Sequence, residues 1–308
     1  MTGGMTKSEK ETRATVAVSV VIPLYNARDV IGDTIRSVLA QTWKDYEIIV
    51  VDDGSHDGSG DLVRAFGGSV RYIRQANTGV AGARNRGIEE SRGKYIALLD
   101  HDDLWHPTKL ERQVAVLTQR PGVGLVITGV THVHADGRPT GDIPGAYNPG
   151  DPFYRIFVKG YVPTPSSAMF RRSAFDAAGA FDPAFNSAGL DDHELWPRIA
   201  AVCEIAAIEE PLTFHRSRTV KPPEIALGHR QVLIAKLLER CGSDTAKRQY
   251  LLREQAAFLS DFGKHLLRNG RTEEGRYSLR VGLRLSLLEG RNLKAAGRCV
   301  SRLLRSYF

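Results

Sequence analysis

A chain of 308 residues is long enough for one large domain with an appendage, or for two small domains. Its hydrophobic fraction of 42% and charged fraction of 25% are those of a globular protein, and no stretch approaches the roughly 18–20 uninterrupted apolar residues of a membrane-spanning helix. The net charge of +7 is unevenly spread: residues 1–227 carry 25 Lys+Arg against 28 Asp+Glu, and residues 228–308 carry 17 against 7, so the basic excess lies in the last quarter. Met1 to Arg13 is polar and charged, without the apolar core of a secretory signal, and is expected to be a disordered leader over residues 1–14. Cys203, Cys241 and Cys299 lie far apart in no metal-ligand spacing, which predicts a reduced, cytoplasmic setting.

Val16 to Leu24 (VAVSVVIPL) is rich in β-branched residues and reads as a buried strand, ending at Pro23 and then Tyr25-Asn26. Val30, Ile31, Ile35, Val38 and Leu39 recur at helical spacing, with Asn26 or Asp29 as the expected cap. Tyr46 to Val51 is a second buried strand, which breaks into the turn-rich acidic loop Asp52-Asp53-Gly54-Ser55-His56-Asp57-Gly58-Ser59. A helix with Leu62, Val63 and Phe66 inward follows, then a short strand over Val70 to Ile73. Asn77 to Gly87 leads into a helix of small residues, and Tyr95 to Leu99 is a fourth strand. The alternation predicts an α/β fold: a mainly parallel sheet with helices on both faces. In such sheets ligands bind beyond the carboxyl ends of the strands, where Tyr25, Asp52/Asp53 and Asp100/Asp102 fall.

The fourth strand ends in Asp100-His101-Asp102-Asp103. Asp100 and Asp102 are two apart, so in extended chain they point to one side, and two hard oxygen ligands there suit Mg²⁺ or Mn²⁺ with a substrate phosphate completing the shell. The plainer alternative is a polar turn after a strand. No Gly-x-Gly-x-x-Gly follows the first strand and no Gly-Lys-Ser/Thr phosphate loop occurs. A carboxylate at the second strand end can accept from a ribose or a base N–H. The pattern therefore suits a nucleoside diphosphate carried with its metal rather than a phosphate bound at a glycine-rich helix start.

The segments VSVVIPLYNARDVIGDTIRSVLAQTWKDYEIIVVDDGSHDGS, NTGVAGARNRGI and GKYIALLDHDDLWHPTKL closely resemble the family 2 glycosyltransferases of the GT-A fold, from about Val18 to Leu117 and with four motifs in the family's order. By that resemblance Pro23, Tyr25 and Asp53 hold the nucleoside, with Asp53 accepting from the base and Asp52 capping the turn. Arg84 is left between two roles, reaching a phosphate of the nucleotide or pinning its helix to the acidic loop. Asp100-His101-Asp102 matches the family's Asp-x-Asp: Asp102 is the expected metal ligand, and Asp100 contacts ribose or metal-bound water. Asp103 is expected to cap the next helix.

Gly124 to Val133 reads as a strand and Ala135-Asp136-Gly137-Arg138 as a hairpin turn. Residues 138–165, rich in Pro and Gly, are expected to form a loop touching the acceptor. Ser166 to Arg172 reads as a further strand. Ala178-Gly179-Ala180-Phe181-Asp182 resembles the family's Gly-Gly-Phe-Asp, and Asp191-Asp192-His193-Glu194-Leu195-Trp196 its acidic pair before a Leu-Trp helix. In inverting members the second acid deprotonates the acceptor hydroxyl, which here is Asp192, with Asp191 beside it; helix capping is the alternative for the pair. Two departures stand out. Pro197 is expected to bend or end the helix. Pro211 to Arg218 resembles a strand that carries a later His where this chain has Ser217; His215 is expected to be an ordinary loop histidine, and Arg216 or Arg218 to be free to meet a diphosphate.

From Ile225 the chain reads as helices, including an antiparallel pair around Arg268-Asn269-Gly270-Arg271. Leu293 to Phe308 combines Val300, Leu303, Leu304 and Tyr307 with Arg298, Arg302 and Arg305. That pattern fits an amphipathic helix lying on an anionic membrane or one packed with a basic outer face. The expected organisation is a GT-A glycosyltransferase domain over 15–220 and a basic helical extension over 221–308. Its expected activity is metal-dependent inverting transfer of a sugar from a nucleotide sugar, UDP by resemblance, to a saccharide or lipid-linked saccharide acceptor in surface-glycan synthesis. No nucleic-acid partner is expected, and the expected place is the cytoplasm or the inner face of the membrane. A sugar nucleotidyltransferase would show a glycine-rich, Lys/Arg-bearing loop after the first strand, which is missing; a non-catalytic nucleotide-sugar-binding scaffold would keep Asp53 and Asp102 without a base.

Overall fold

A computed structural model describes residues 16–134, 136–146, 162–188, 191–216, 233–239 and 241–287. The expected leader, the middle of the expected acceptor loop, Arg218 and the amphipathic stretch from Leu293 lie outside the described residues. The chain divides into two compact units, residues 1–187 with 191–218, and residues 188–190 with 219–308.

The first unit is built on β1 (Val18–Leu24), α1 (Ile31–Leu39), β2 (Tyr46–Asp52), α2 (Ser59–Arg64), β3 (Arg71–Arg74), α3 (Gly79–Glu90) and β4 (Tyr95–Leu98). It continues with β5 (Leu104–Trp105), α4 (Lys109–Gln119), β6 (Val123–Val133), β7 (Pro139–Ile143), β8 (Ala168–Arg171), α5 (Arg172–Ala178), α6 (Asp191–Ala200) and β9 (Glu204–Arg216). The strands form one sheet in the order β3-β2-β1-β4-β8-β6-β9-β5, with β7 on β6. β1 to β4 run parallel, in a register that sets Leu24 opposite Asp52. Every residue of β1 is buried, as an apolar run covered on both faces requires. Val18, Val20, Ile22 and Leu24 pack with Ile31, Ile35 and Val38 of α1 and Leu110 and Leu117 of α4. Val21, Ile96 and Leu98 pack on the other face with Ala81 and Ile88 of α3 and Trp196 of α6. The small residues of α3 have a steric cause: a Cβ on Gly87 would come within 2.4 Å of Val21 Cγ1, so the helix lies directly on the sheet.

β8 enters antiparallel between β4 and β6, and β9 returns parallel to β6. Four local expectations are corrected. α1 starts after Val30 with no side-chain cap, because Asn26 is turned toward the acidic loop. Leu62 faces outward while Val63 is buried. β9 begins at Glu204, well before Pro211; its register slips opposite Thr128 and Gly129, and that irregularity breaks the alternation a strand normally displays. The predicted loop after Arg138 starts with an exposed strand, β7, joined to β6 by backbone pairing and by polar bonds such as Thr131 Oγ1 to Asp142 Oδ1 at 2.7 Å, and so silent in hydrophobic pattern.

In the second unit, α7 spans residues 233–239, α8 is Thr245–Arg268 and α9 is Thr272–Leu287. Asp244 caps α8 by accepting from Lys247 N–H at 3.0 Å. α8 and α9 are close enough that a Cβ on Gly263 or Gly275 would meet the other glycine's carbonyl oxygen at 2.9 Å, and Leu251, Leu252, Leu259, Leu266 and Leu285 are buried.

Candidate active site

The carboxyl ends of β1, β2 and β4 converge on a polar edge. β1 delivers buried Pro23 and exposed Tyr25, whose ring meets His56 edge-on at 6.3 Å. Asn26 takes a left-handed φ of +47° and ties the two strand ends together: its N–H donates to Ser55 Oγ and its Oδ1 accepts from His56 N–H, both at 3.0 Å. Asp52 holds the loop from beneath, accepting from Ser55 N–H at 2.7 Å and from the Tyr72 hydroxyl. Asp53 does different work. Its Oδ1 accepts from Gln75 Nε2 at 2.8 Å and Thr78 N–H at 2.9 Å, and its Oδ2 from Gly79 N–H at 2.7 Å. The carboxylate thus sits at the N-terminus of α3, satisfying amides that have no partner within the helix. Only one of these bonds reaches Oδ2, which keeps capacity for a further donor.

The loop after β4 is braced on every side. Asp100 N–H donates to Ser166 Oγ at 3.0 Å, and Trp105 Nε1 donates to the Ser166 carbonyl at 2.8 Å. Buried Lys109 lies 4.2 Å over the Trp105 ring and donates to Gln113 Oε1 at 2.7 Å. The His101 ring meets the Pro23 carbonyl at 3.1 Å, linking the Asp-x-Asp loop to the end of β1. Asp100 and Asp102 are half-buried.

Asp103 is no helix cap. α4 starts at Lys109 after Thr108, and Asp103 is fully buried, within 3.0 Å of His215 Nδ1 and accepting from Arg216 N–H at 3.2 Å. Burial pushes the Asp103 carboxyl up, while its hydrogen bond raises the His215 imidazole. His215 is therefore a strand residue fixed to the acidic loop, not a loop histidine. Sequence reading missed it because its partner is 112 residues away.

Arg84 joins the two acidic motifs. Its guanidinium donates to Asp100 Oδ1 at 2.6 Å and to Asp191, over the face of Phe181. Arg84 and Asp191 are 3% and 2% exposed, so both charges are out of water and depend on each other. Burial disfavours the charged guanidinium, but Asp100 and Asp191 outweigh that and raise its pKa. Burial also lifts the Asp191 carboxyl, against the pull of Arg84. Asp192 is 7% exposed. α6 carries both acids and runs through Pro197 to Ala200 instead of ending there. Arg198 secures it: Nε and Nη2 grip both oxygens of buried Glu194 at 2.9 and 2.6 Å, and the guanidinium also donates to the carbonyls of Ala178, Gly179 and Ala180.

Among the described residues no three His, Cys, Asp or Glu side chains converge as a closed metal cage. Asp100 and Asp102 offer two carboxylates at a solvent-facing strand end, a donor set that fits Mg²⁺ or Mn²⁺ shared with substrate phosphates.

The family model described as Glycosyl transferase family 2 matches residues 19–179. The putative teichuronic acid biosynthesis glycosyltransferase TuaG of Bacillus subtilis is 41% identical over 127 residues, 40% of this chain and 50% of TuaG. Across the curated relatives matched, the aligned part spans 18% to 50% of their own length. Among solved structures, S. aureus TarS 1-349 in complex with UDP-GlcNAc superposes with a TM-score of 0.60 at 15% identity, covering 94% of this chain and 92% of that one. The mannosyltransferase PcManGT from Pyrobaculum calidifontis, in complex with GDP-Man and Mn²⁺, gives 0.56 at 17% identity, covering 97% and 92%. At these identities the structural likeness establishes the shared GT-A fold.

Proposed function

Because the chain belongs to glycosyl transferase family 2, we propose that it moves a sugar from a nucleotide sugar, UDP-linked, to an acceptor hydroxyl with inversion at the anomeric carbon. One observation carries the reading. Arg84 bonds to both Asp100 and Asp191, so the Asp-x-Asp motif and the acid pair, 91 residues apart in sequence, meet at one guanidinium. In this role Arg84 braces the two motifs, and its buried place between carboxylates supports that over a contact with the nucleotide. Pro23 and Tyr25 line the nucleoside, and Oδ2 of Asp53 accepts from the base. Asp102 would hold the divalent cation directly, and Asp100 would contact the ribose or a water bound to that cation. That cation neutralises charge on the departing diphosphate when bound.

Asp192 takes the proton of the acceptor hydroxyl as that oxygen bonds to the anomeric carbon. The carbon–oxygen bond to the diphosphate breaks, and the nucleoside diphosphate leaves with the electron pair. Asp191, held by Arg84, is the structural member of the pair. The catalytic domain is taken as residues 15–220 and the basic helical extension as 221–308. UDP follows the resemblance to the family and is the nucleotide of the TarS complex, and the name of TuaG fits an acceptor in surface-polysaccharide synthesis. We place that acceptor at the cytoplasmic side of an anionic membrane.

A panel of UDP-, GDP- and dTDP-sugars incubated with the protein, with Mn²⁺ or Mg²⁺ and with EDTA, tests the proposal. The expected result is metal-dependent release of UDP from at least one UDP-sugar, lost in Asp102→Ala. Release that is unaffected by EDTA or by that substitution contradicts the metal assignment, and no release from any donor contradicts the transferase reading.

A further inference from the structure

We propose that Asn186 is a positioning residue for the transfer reaction, coupling the turn that holds the nucleotide to the segment that delivers the acid pair. The inference rests on the reading above, in which Asp53 meets the nucleoside and Asp192 the acceptor hydroxyl. Asn186 lies in the 3-10 turn Pro183–Ala188, five residues before Asp191. Its Nδ2 donates to the Thr78 carbonyl and its Oδ1 accepts from Ala81 N–H, both at 2.7 Å.

The Thr78–Gly79 peptide group is the joint. Its N–H donates to Asp53 Oδ2 at 2.7 Å, and its carbonyl accepts from Asn186. A single rigid plane is thus held from one end by the carboxylate at the end of β2 and from the other by the residue leading into α6. Hydrogen bonds in series polarise one another, and a peptide plane cannot rotate at one end alone. A donor arriving at Asp53 Oδ2 therefore changes the bond that Asn186 makes.

Gly79 makes this contact possible. Its φ is +82°, and a Cβ there would come within 2.4 Å of the Asn186 amide, so the side chain rests directly on bare backbone. Asn85 provides a second tether, donating to the Phe181 carbonyl at 2.8 Å and accepting from Phe181 N–H at 2.9 Å. The tether keeps the segment docked on α3 when the Asn186 bonds are removed. Positioning and docking are therefore separable. Filling the nucleotide site steadies the turn Pro183–Ala188 through Asn186, so that Asp192, six residues on, is set before the acceptor is engaged.

Hydrogen exchange with UDP and Mn²⁺ as the probe reads this directly. In the wild-type protein, UDP slows exchange both at residues 75–84 and at residues 191–200. In Asn186→Ala, UDP affinity changes less than about threefold and the protection at 75–84 remains. The protection at 191–200 disappears, and donor turnover falls roughly tenfold in kcat. Asn186→Asp keeps an acceptor for Ala81 N–H but cannot donate to the Thr78 carbonyl, and it loses the distant protection in the same way. If both variants retain that protection, the coupling does not run through Asn186 and the proposal falls. It falls equally if protection, UDP affinity and melting temperature all drop together in both variants, since Asn186 then serves folding alone. Wild-type protection at 75–84 without any at 191–200 overturns this inference and leaves the functional reading intact; no UDP-dependent protection anywhere overturns both.

Discussion

Arg84 is the residue on which most of the site depends. It is buried, it is bonded to two carboxylates, and a third, Asp192, is next to Asp191 in the chain. Removing one partner of a buried ion pair leaves an uncompensated charge, which costs about 3–5 kcal/mol. Arg84→Ala is accordingly expected to lower the unfolding free energy from urea titration by that scale and to raise the pKa of Asp191 further, while Arg84→Lys retains part of the stability without the two-pronged geometry. Equal stability of Arg84→Ala and wild type would show that the pair contributes nothing. The identities of Asp53, Asp100, Asp102, Asp191 and Asp192 were legible in the sequence because each stands at the end of an apolar run or the start of a helix. The partners that orient them were not. Asp103 reads locally as a cap, and only the fold reveals that it is satisfied by His215 and Arg216 from the far edge of the sheet. His56, Ser166 and Asn186 were invisible for the same reason: a polar residue in a turn carries no signal of what it will meet.

At the scale of elements, β1 to β4 and α1 to α3 were readable because parallel strands buried on both faces produce continuous apolar runs, and a covering helix such as α1 shows a 3.6-residue period. β7 and the first half of β9 were not, since exposed pairing and a slipped register erase both patterns. The strands are also locked at the end remote from the site. Glu47 on β2 accepts from Ser19 Oγ at 2.7 Å and from Arg92 N–H at 2.7 Å, and Arg92 Nη2 reaches its other oxygen at 2.9 Å. Burial pushes the Glu47 carboxyl up, but these donors prevail and its pKa lies below the ordinary 4.5. A depressed acid pKa contributes stability that is present above the unfolded value and is lost as pH falls through the folded one. Urea unfolding of wild type and Glu47→Gln should therefore differ most at neutral pH and converge below about pH 4. A difference that stays constant down to pH 3 would mean that Glu47 acts by shape and not by charge.

For the molecule as a whole, the charge division seen in the sequence falls close to the division into two units. α9 presents Arg276, Tyr277, Arg280, Leu283 and Arg284 on its exposed side, with Leu283 60% and Tyr277 41% exposed. Arginines beside an aromatic and an aliphatic side chain suit the headgroup layer of an anionic bilayer. Each such charge is worth about 1 kcal/mol near the surface, so the double variant Arg280→Glu, Arg284→Glu is expected to reduce binding to phosphatidylglycerol vesicles by at least roughly tenfold. Raising the salt should weaken the wild-type protein in parallel. Binding that is the same on neutral phosphatidylcholine vesicles, or the same in the variant, removes this face from the account.

The division of labour between the two acids of α6 is the central claim, and single-turnover rates with a hydrolysable UDP-sugar and Mn²⁺ test it most directly. Asp192→Asn should lower the rate by about 10²–10⁴-fold while leaving UDP affinity and melting temperature at wild-type values. Asp191→Asn should lower stability first, because it removes the buried partner of Arg84. If Asp192→Asn turns over at the wild-type rate and Asp191→Asn is the variant that is folded but inactive, the base is Asp191 and the assignment is wrong.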